Sequence, residues 1–481
     1  MIPFFILPIL LFSIYFFSSN IFLIYLIHIA TLFFLSIFNE RYFIITYFSY
    51  LLCYKFFIPY LGIDSLLELL PVFLNCTLII PVILKSKNIK IYKKGFIYNI
   101  LFPILLILIS QFLAFLINQS NTFELFRWYL WLLNLFPLFL YVYYLDKNII
   151  ALLVEDIKKV LIFFFFIQVF VVLMQSNNTF LNYSTNPDTF SGTFGPAGTA
   201  FLSFFCCLLF YPLAYMSLKK REFSQLIFLS ILIVLLTIIS DIVFTLIVCM
   251  LFPLFMFVYK NFLELSFGKN FIKNTTIVSF IVLILFSSSR ISSIFNLLDS
   301  QQTVFNSNRL NIEELTYYSN MITSNEDGLK FGRTLGLVYS FNKIITSDLI
   351  NQLFGYGPGS TRSEQSVVQR SGPPKIRPIP HTNFFGVDKI ILEFGILGLI
   401  AFISLFLKIY RFTLNSKSKS ENIKIFLMIL FLYFIYGLVY DGGWLFNPSK
   451  NGIFWIITAI IFSLLDQENF EKNHIYNTEK N

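Results

Sequence analysis

The feature that most constrains this chain is a succession of apolar runs separated by short polar segments. Most of the runs have the roughly 17 to 25 residues that a helix needs to cross a bilayer. Backbone groups in lipid must find their hydrogen bonds within the chain, so such runs predict helices. We predict an all-α, polytopic integral membrane protein with about 12–14 transmembrane helices and one large extracytoplasmic loop. The predicted spans are residues 2–18, 21–38, 42–61, 66–84, 96–118, 125–145, 160–176, 198–217, 224–239, 242–259, 271–289, 384–409, 425–440 and 452–465.

The amino-acid composition favours the same class. Hydrophobic residues make up 57% of the 481 residues and charged residues only 13%, so the apolar surface exceeds what a water-soluble core could bury. The net charge of +9 is spread over short loops, and we interpret it as a topology signal rather than a nucleic-acid surface. Phenylalanine runs such as residues 163–166 are interpreted as lipid-facing. The five cysteines all fall in apolar runs, which indicates neither a disulfide framework nor a thiolate metal site.

Lysine and arginine in short loops predict the orientation of the helices, because such residues favour the cytoplasmic side. Both termini are then cytoplasmic. The chain divides into about eleven N-terminal transmembrane helices over 1–289, an extracytoplasmic polar insert over 290–383 with short amphipathic helices, and C-terminal transmembrane helices with a short cytoplasmic tail over 384–481. The basic clusters that we place in the cytoplasm are residues 85–94, 158–159, 219–221, 260–273 and 411–424.

The polar insert concentrates arginine. It holds six of the ten arginines in the chain, whereas only three of the twenty-five lysines lie there. A local preference for the planar guanidinium over a point charge indicates sites that bind phosphate or carboxylate. The alternative is ordinary solvated loop charge, because acidic residues lie nearby. The six are Arg290, Arg309, Arg333, Arg362, Arg370 and Arg377.

Within the polar insert, the pattern predicts a helix followed by a glycine-rich turn. Apolar residues recur at helical spacing over 333–345, which predicts an amphipathic helix on the membrane surface. Gly355, Gly357 and Gly359 follow it; they permit tight turns and a close approach of a ligand to the backbone, or they simply set the backbone shape. The apolar positions of the helix are Leu335, Val338, Phe341 and Ile345.

Two further candidates flank the point where the polar insert returns to the membrane. His381 borders the basic loop and is the natural proton-transfer or phosphate-contacting group; the alternative is a helix-capping residue at the interface. Glu393 lies within the next apolar run, where a carboxylate is costly and tends to be paired or functional. An arginine of the polar insert is its expected partner, and a structural ion pair is the alternative.

Three stretches give the chain a resemblance to the O-antigen polymerase and O-antigen ligase superfamily of bacterial envelope glycosyltransferases. The third resembles the family's His–Asn stretch and its Glu-x-Gly-x-x-Gly helix start after a large periplasmic loop. Together they cover about residues 185–410. The stretches are residues 192–198 (GTFGPAG) opening a span, residues 332–333 (GR) leading through a helix to residues 354–359 (FGYGPG), and residues 381–383 (HTN) followed by residues 393–399 (EFGILGL).

The resemblance implies a membrane glycosyltransferase in the bacterial cytoplasmic (inner) membrane. It would polymerise undecaprenyl-diphosphate-linked oligosaccharide repeat units into O-antigen, capsular polysaccharide or exopolysaccharide at the outer face. Its partners would be this lipid-linked oligosaccharide, the lipid bilayer and a chain-length regulator, with no nucleic acid. No cofactor and no metal are expected, since no Asp-x-Asp or His/Asp cluster is present.

The same resemblance implies roles for individual residues. Arg333, Arg370 and Arg377 would bind the departing diphosphate, because guanidinium groups stabilise its developing charge without a metal. His381 would donate to that diphosphate or act as the general base, and Glu393 would orient the histidine or an arginine. The remaining predicted substrate-binding residues are Arg362, Gly355, Gly357, Gly359 and Asn383.

Two other functions remain open. A ligase would use the same site to transfer a finished chain from the lipid to another acceptor. A transporter of the lipid-linked sugar is the other alternative, although transporters usually gather polar groups at the bilayer midplane, often with inverted repeats, whereas here the charge lies in the polar insert.

Overall fold

The computed structural model describes residues 6, 10, 20–60, 70–86, 94–118, 125, 136–176, 192–194, 199–220, 223–240, 322–325, 328–331, 333–357, 360, 386–415, 421–439 and 448–478. Within these ranges the chain is helical apart from a short 3-10 turn, one hairpin and brief connections.

The helices before the polar insert are α1 (Ile21–Phe38), α2 (Glu40–Tyr60), α3 (Leu70–Thr77), α4 (Ile79–Ser86), α5 (Lys94–Asn118), α6 (Lys147–Ser176), α7 (Thr199–Lys220) and α8 (Phe223–Ile239), with the 3-10 turn at Gly192–Phe194 between α6 and α7. The elements of the polar insert and the C-terminal part are β1 (Ile322–Asn325), β2 (Gly328–Phe331), α9 (Arg333–Ile345), α10 (Leu349–Phe354), α11 (Gly386–Asn415), α12 (Glu421–Val439) and α13 (Pro448–Thr478).

Three helices of the described chain are long and apolar enough to cross a membrane: Leu101–Asn118 in α5, Asn148–Ser176 in α6 and Gly386–Ile409 in α11. Shorter apolar stretches lie in α1, α3–α4, α7, α8 and α13. The prediction of a helical chain with helices long and apolar enough to span a membrane is confirmed at this level. The number of about 12–14 spans, the three-part division of the chain and the sidedness stay predictions.

The all-α prediction lacks one element, a hairpin inside the polar insert. Strands β1 and β2 pair antiparallel, with Ile322 opposite Phe331 and Asn325 opposite Gly328. The strand sequences ITSN and GLKF are too short to produce a clear alternating pattern.

Helices α5 and α11 are among those that present exposed apolar ridges at helical spacing. Members of a ridge recur every three or four residues, so they lie on one face of the helix. Such exposed faces on long apolar helices are the surfaces that lipid would cover. The ridge of α5 is Phe102, Leu105, Ile109, Phe112 and Leu116, and that of α11 is Ile396, Ile400, Ile403 and Leu407.

Helix α6 begins well before the predicted span at residue 160. Its first turns carry charged residues, and Asp156 forms a two-pronged ion pair with Arg41 near the start of α2, with Nε–Oδ2 2.6 Å and Nη2–Oδ1 3.1 Å. Hydropathy detects only the apolar part of such a helix, because charged residues lower the mean hydropathy even when they are paired in the fold.

The predicted span over 66–84 is two helices rather than one. Helix α3 ends at Thr77 and α4 begins at Ile79, and Pro81 follows. A proline has no N–H to donate, and its ring collides with the carbonyl four residues earlier, which here belongs to Thr77. The proline therefore accounts for the break.

The main core is rich in aromatic residues. Phe139 stacks on Tyr143 with ring centroids 5.7 Å apart and meets Trp455 of α13 edge-on at 5.5 Å.

The interpretation of residues 163–166 as lipid-facing is half wrong: Phe164 and Phe165 are buried, whereas the phenylalanines on either side are nearly half exposed. Four consecutive helical residues span all sides of a helix, so they cannot share one face.

Candidate functional site

Helix α11 is broken at Gly395. This residue has φ 67° and ψ −168°, a conformation that residues with a Cβ atom rarely adopt. The break interrupts the ladder of backbone hydrogen bonds along the helix. The carbonyls of Leu392, Glu393 and Phe394 accept hydrogen bonds from other segments.

The polar insert supplies two of these donors through its backbone. The Tyr356 N–H donates to the Leu392 carbonyl at 2.7 Å, and the Gly357 N–H donates to the Glu393 carbonyl at 3.2 Å. The residues that follow α10 are therefore joined to α11 by backbone contacts, which do not depend on side-chain identity.

Helix α5 supplies the other donors. Gln111 Nε2 donates to the Glu393 carbonyl at 2.8 Å, and Ser110 Oγ donates to the Phe394 carbonyl at 3.0 Å. Asn118 Nδ2 donates to the Gly355 carbonyl at 3.2 Å. We call this meeting of α5, residues 353–357 and residues 392–395 the α11 joint.

Two glycines make the α11 joint sterically possible. A Cβ atom on Gly355 would lie 2.6 Å from the backbone of Glu393, Phe394 and Gly395, and one on Gly395 would lie 2.4 Å from the Leu353 carbonyl oxygen. Gly355 and Gly357 both have positive φ, 77° and 92°. At Gly355 the segment that approaches the bare backbone is helix α11, so this contact explains the glycine without a substrate.

Two carboxylates of α11 are fully buried near the α11 joint. Glu393 and Asp388 both have an exposed fraction of 0%. The two residues before Glu393 in the chain, Ile391 and Leu392, pack against Ile344 of α9 in an apolar cluster. A carboxylate in such surroundings is costly unless it is held by polar groups or used in a reaction. The predicted arginine partner of Glu393 stays a prediction.

Helices α9 and α10 seat the polar insert on α11. Tyr356, just after α10, packs with Ile344 and α11, and Lys343 Nζ lies 5.8 Å from the Tyr356 ring centroid. Burial raises the pKa of the Tyr356 hydroxyl, a hydrogen bond with Ser347 lowers it, and the charge of Asp348 raises it. The net shift is upward, so this phenol is a hydrogen-bonding group at neutral pH and not a base.

The predicted site residues are only partly covered by the described chain. Glu393, Gly355 and Gly357 meet in the α11 joint. Arg333 is the first residue of α9. The structure describes its backbone and not its side chain. Residues 357, 360 and 386 are the described residues next to the candidates that lie between α10 and α11. The predicted residues outside the described ranges are Gly359, Arg362, Arg370, Arg377, His381 and Asn383.

A second irregular segment is the 3-10 turn Gly192–Phe194. It lies in residues 192–198, one of the three stretches quoted in the sequence comparison above. The side-chain amides of Gln168 and Gln175 in α6 bind its backbone on both sides. Gln168 Oε1 accepts from the Thr193 N–H at 2.7 Å, while its Nε2 donates to Thr193 Oγ1. Gln175 Oε1 accepts from the Gly192 N–H at 2.9 Å, and its Nε2 donates to the Gly192 carbonyl at 3.1 Å.

Thr193 completes this arrangement by donating from Oγ1 to the Leu52 carbonyl of α2 at 2.8 Å. We call the contacts of the turn with Gln168, Gln175 and Leu52 the turn joint. Non-helical backbone among apolar helices is tolerated where protein groups satisfy its polar atoms, and the two glutamines do this here.

The side chains that hold both joints are absent from the predicted site residues. A signal was nonetheless present, because the polar residues of the apolar stretch 101–118 are Ser110, Gln111 and Asn118, and those of 160–175 are Gln168 and Gln175. Polar side chains in such stretches face other protein groups rather than lipid.

The residues that the structure describes contain no group of three or more His, Cys, Asp or Glu side chains placed to hold a metal ion. Compared with models of known protein families and with curated proteins, the chain matches none.

Proposed function

We propose that this protein is a membrane glycosyltransferase that polymerises oligosaccharide repeat units carried on undecaprenyl diphosphate, at the outer face of a bacterial cytoplasmic membrane. The products would be O-antigen, capsular polysaccharide or exopolysaccharide. The proposal combines the sequence resemblance, the arginine-rich polar insert and the α11 joint.

The observation that carries the proposal is the hydrogen bond from the Gly357 N–H to the Glu393 carbonyl at 3.2 Å. It ties the polar insert to the main chain of a residue whose carboxylate is buried. The segment with Arg362, Arg370, Arg377 and His381 follows Gly357 and precedes Gly386 of the same helix. The segment therefore follows a residue that contacts Glu393 and precedes the helix that carries Glu393.

The proposed reaction is a substitution at an anomeric carbon. A sugar hydroxyl of one lipid-linked unit attacks that carbon on another, the bond to the diphosphate oxygen breaks with its electron pair, and undecaprenyl diphosphate leaves. The hydroxyl proton goes to His381 acting as the general base. Arg333, Arg370 and Arg377 stabilise the charge on the diphosphate, and Glu393 orients His381 or an arginine.

The α11 joint also bears on the transporter alternative. Discontinuous membrane helices in transporters expose backbone carbonyls to coordinate ions. In α11, the carbonyls of Leu392, Glu393 and Phe394 already accept hydrogen bonds from protein donors. This arrangement favours a structural joint over an ion site, and so favours an enzyme over an ion-coupled transporter.

The test is polymer length in cells and with purified protein. We expect Arg333→Ala and His381→Ala each to abolish long-chain polysaccharide while the protein stays in the membrane, because the first removes a group that stabilises the leaving diphosphate and the second removes the general base. Arg309→Ala is the matched control, since this arginine of the polar insert has no assigned role. Normal chain length in both test variants contradicts the proposal.

A deletion strain separates the polymerase from the ligase. Loss of a polymerase leaves an acceptor capped by a single repeat unit, whereas loss of a ligase leaves lipid-linked polymer and a bare acceptor. Gel analysis of the surface polysaccharide distinguishes the two patterns. We expect the single capped repeat.

A further inference from the structure

Helix α5 carries its polar residues on the side that faces the α11 joint. Gln111, Ala114 and Asn118 are spaced three and four residues apart, so they share one face of the helix, and Ser110 borders it. Ser110, Gln111 and Ala114 are buried. Phe112 and Leu116, by contrast, are about half exposed, at 47% and 53%. The polar residues of this helix thus point at protein and its large apolar residues point away.

The main chain of Glu393 is held from two sides. Its carbonyl accepts from the Gly357 N–H of the polar insert at 3.2 Å and from Gln111 Nε2 of α5 at 2.8 Å. Ser110 holds the next carbonyl, that of Phe394, at 3.0 Å. The break at Gly395 frees these carbonyls from the helix, and α5 then fixes their direction. Because the Cα–Cβ bond of Glu393 moves with its peptide plane, fixing the carbonyl also fixes where the carboxylate starts.

Stability alone does not account for a glutamine at position 111. It is fully buried, and its Oε1 has no hydrogen-bond partner within the described residues. A buried polar atom without a partner is destabilising. The side-chain amide therefore lowers the free energy of unfolding through its Oε1. The contact that the amide makes is with the peptide of Glu393.

We propose that Gln111 is a positioning residue for Glu393, acting from α5 through the Glu393 carbonyl, with Ser110 and Asn118 completing the same frame. This inference rests on the proposed function, in which Glu393 orients His381 or an arginine. Gln111 itself does not touch the substrate. A displaced carboxylate slows the reaction step and leaves substrate binding by the arginines unchanged.

The test uses the full-length protein in lipid nanodiscs with a lipid-linked repeat unit as substrate. We expect Gln111→Leu to lower kcat roughly 10- to 100-fold, the effect of a displacement on the order of 1 Å. We expect KM to stay within about twofold, because ground-state binding is unchanged. Phe112→Leu, on the exposed face of the same helix, is the matched control and should behave as the wild type. Rates are expressed per folded protein, with the folded fraction taken from thermal unfolding.

A second readout needs no reaction. Hydrogen exchange at the Tyr356 and Gly357 amides, which donate to α11, should become at least about tenfold faster in Gln111→Leu than in the wild type and in Phe112→Leu, because the joint opens more easily. If the wild type fails to elongate its substrate, the proposed function fails, and this exchange measurement still decides whether Gln111 holds the joint. Unchanged exchange, an unchanged kcat in folded protein, or a rise in KM equal to the loss in kcat/KM each overturns the assignment.

Discussion

Gly395 and Gly355 bring two backbones closer together than side chains would allow. At each position a Cβ atom would lie within 2.6 Å of the opposite main chain, and both residues have positive φ. Neither backbone can retreat easily, because α5 holds both of them through Ser110, Gln111 and Asn118. The steric demand and the hydrogen bonds therefore act on the same few residues.

We predict that Gly395→Ala destabilises the protein by more than about 2 kcal/mol, since a strained backbone costs about 1–3 kcal/mol and a contact with the Leu353 carbonyl is added. Thermal unfolding of the purified protein measures the effect. The matched control is Gly452→Ala in α13, where the new Cβ would meet the end of a flexible side chain, Leu51 Cδ1. Equal losses in the two variants contradict the steric explanation.

At the scale of single residues, burial was easier to predict than partnership. The position of Glu393 in an apolar run already indicates a carboxylate removed from water. No local pattern reveals that its carbonyl meets Gln111 and Gly357, because those contacts join parts of the chain 282 residues apart in the first case. For Gly355 the sequence leaves open a ligand or the backbone shape alone for the same reason: the need for a bare backbone is local, whereas the identity of what approaches it is not.

Helix α9 has a buried face and an exposed apolar face. Ser340 and Ile344 are buried, and Ile344 packs against α11. Val338, Phe341 and Ile345 are 41–66% exposed, and these are three of the four residues in the predicted membrane-surface stripe. Leu349 and Ile350 of α10 are also exposed. An exposed apolar stripe on an otherwise packed helix indicates an apolar partner, and for a membrane protein the bilayer surface is the simplest one.

We predict that a nitroxide label on Ile345→Cys, in a variant lacking the native cysteines, lies in lipid. Electron paramagnetic resonance should show higher accessibility to oxygen than to a water-soluble nickel complex. The control is Thr346→Cys, an exposed polar position in the turn directly after the helix. Greater nickel accessibility at residue 345 than at residue 346 contradicts the prediction.

The helices themselves were largely predictable, and their interruptions were not. The predicted spans 96–118, 198–217 and 224–239 agree closely with α5, α7 and α8. Hydropathy measures the transfer of a whole stretch into lipid, so it is insensitive to a single glycine or proline. The break at Gly395 and the turn at Gly192–Phe194 depend on which neighbour satisfies the exposed backbone, whereas the break near Pro81 has a local cause that hydropathy does not measure.

At the scale of the whole molecule, the contacts between α2 and α6 define the relative direction of these two helices. Helices α2 and α6 run in the same direction, because Arg41 pairs with Asp156 near one end of both, and the Leu52 carbonyl of α2 and Gln168 of α6 meet at Thr193 further along. The charged end carries the lysines of residues 158–159, which the distribution of basic residues assigns to the cytoplasm. The turn joint then belongs to the opposite end of these helices.

We predict that Asp348→Cys in the polar insert is labelled by a membrane-impermeant maleimide in intact cells, whereas Glu155→Cys on α6 is labelled only after permeabilisation. Both wild-type side chains are exposed, so access to the reagent depends on the side of the membrane and not on burial. The five native cysteines are replaced first. Labelling of residue 348 only after permeabilisation would place the polar insert inside the cell, where the proposed substrate headgroup is not available.

The hydrogen bonds that define the α11 joint and the turn joint come from peptide, carboxamide and hydroxyl groups. None of these groups carries a formal charge, so a transmembrane voltage exerts almost no net force on the fastening, and dissolved ions do not screen it. A protein with such uncharged joints would keep its framework when the membrane potential collapses or the external salt concentration rises. Ionic strength would then act mainly on the binding of the proposed anionic substrate by the arginines.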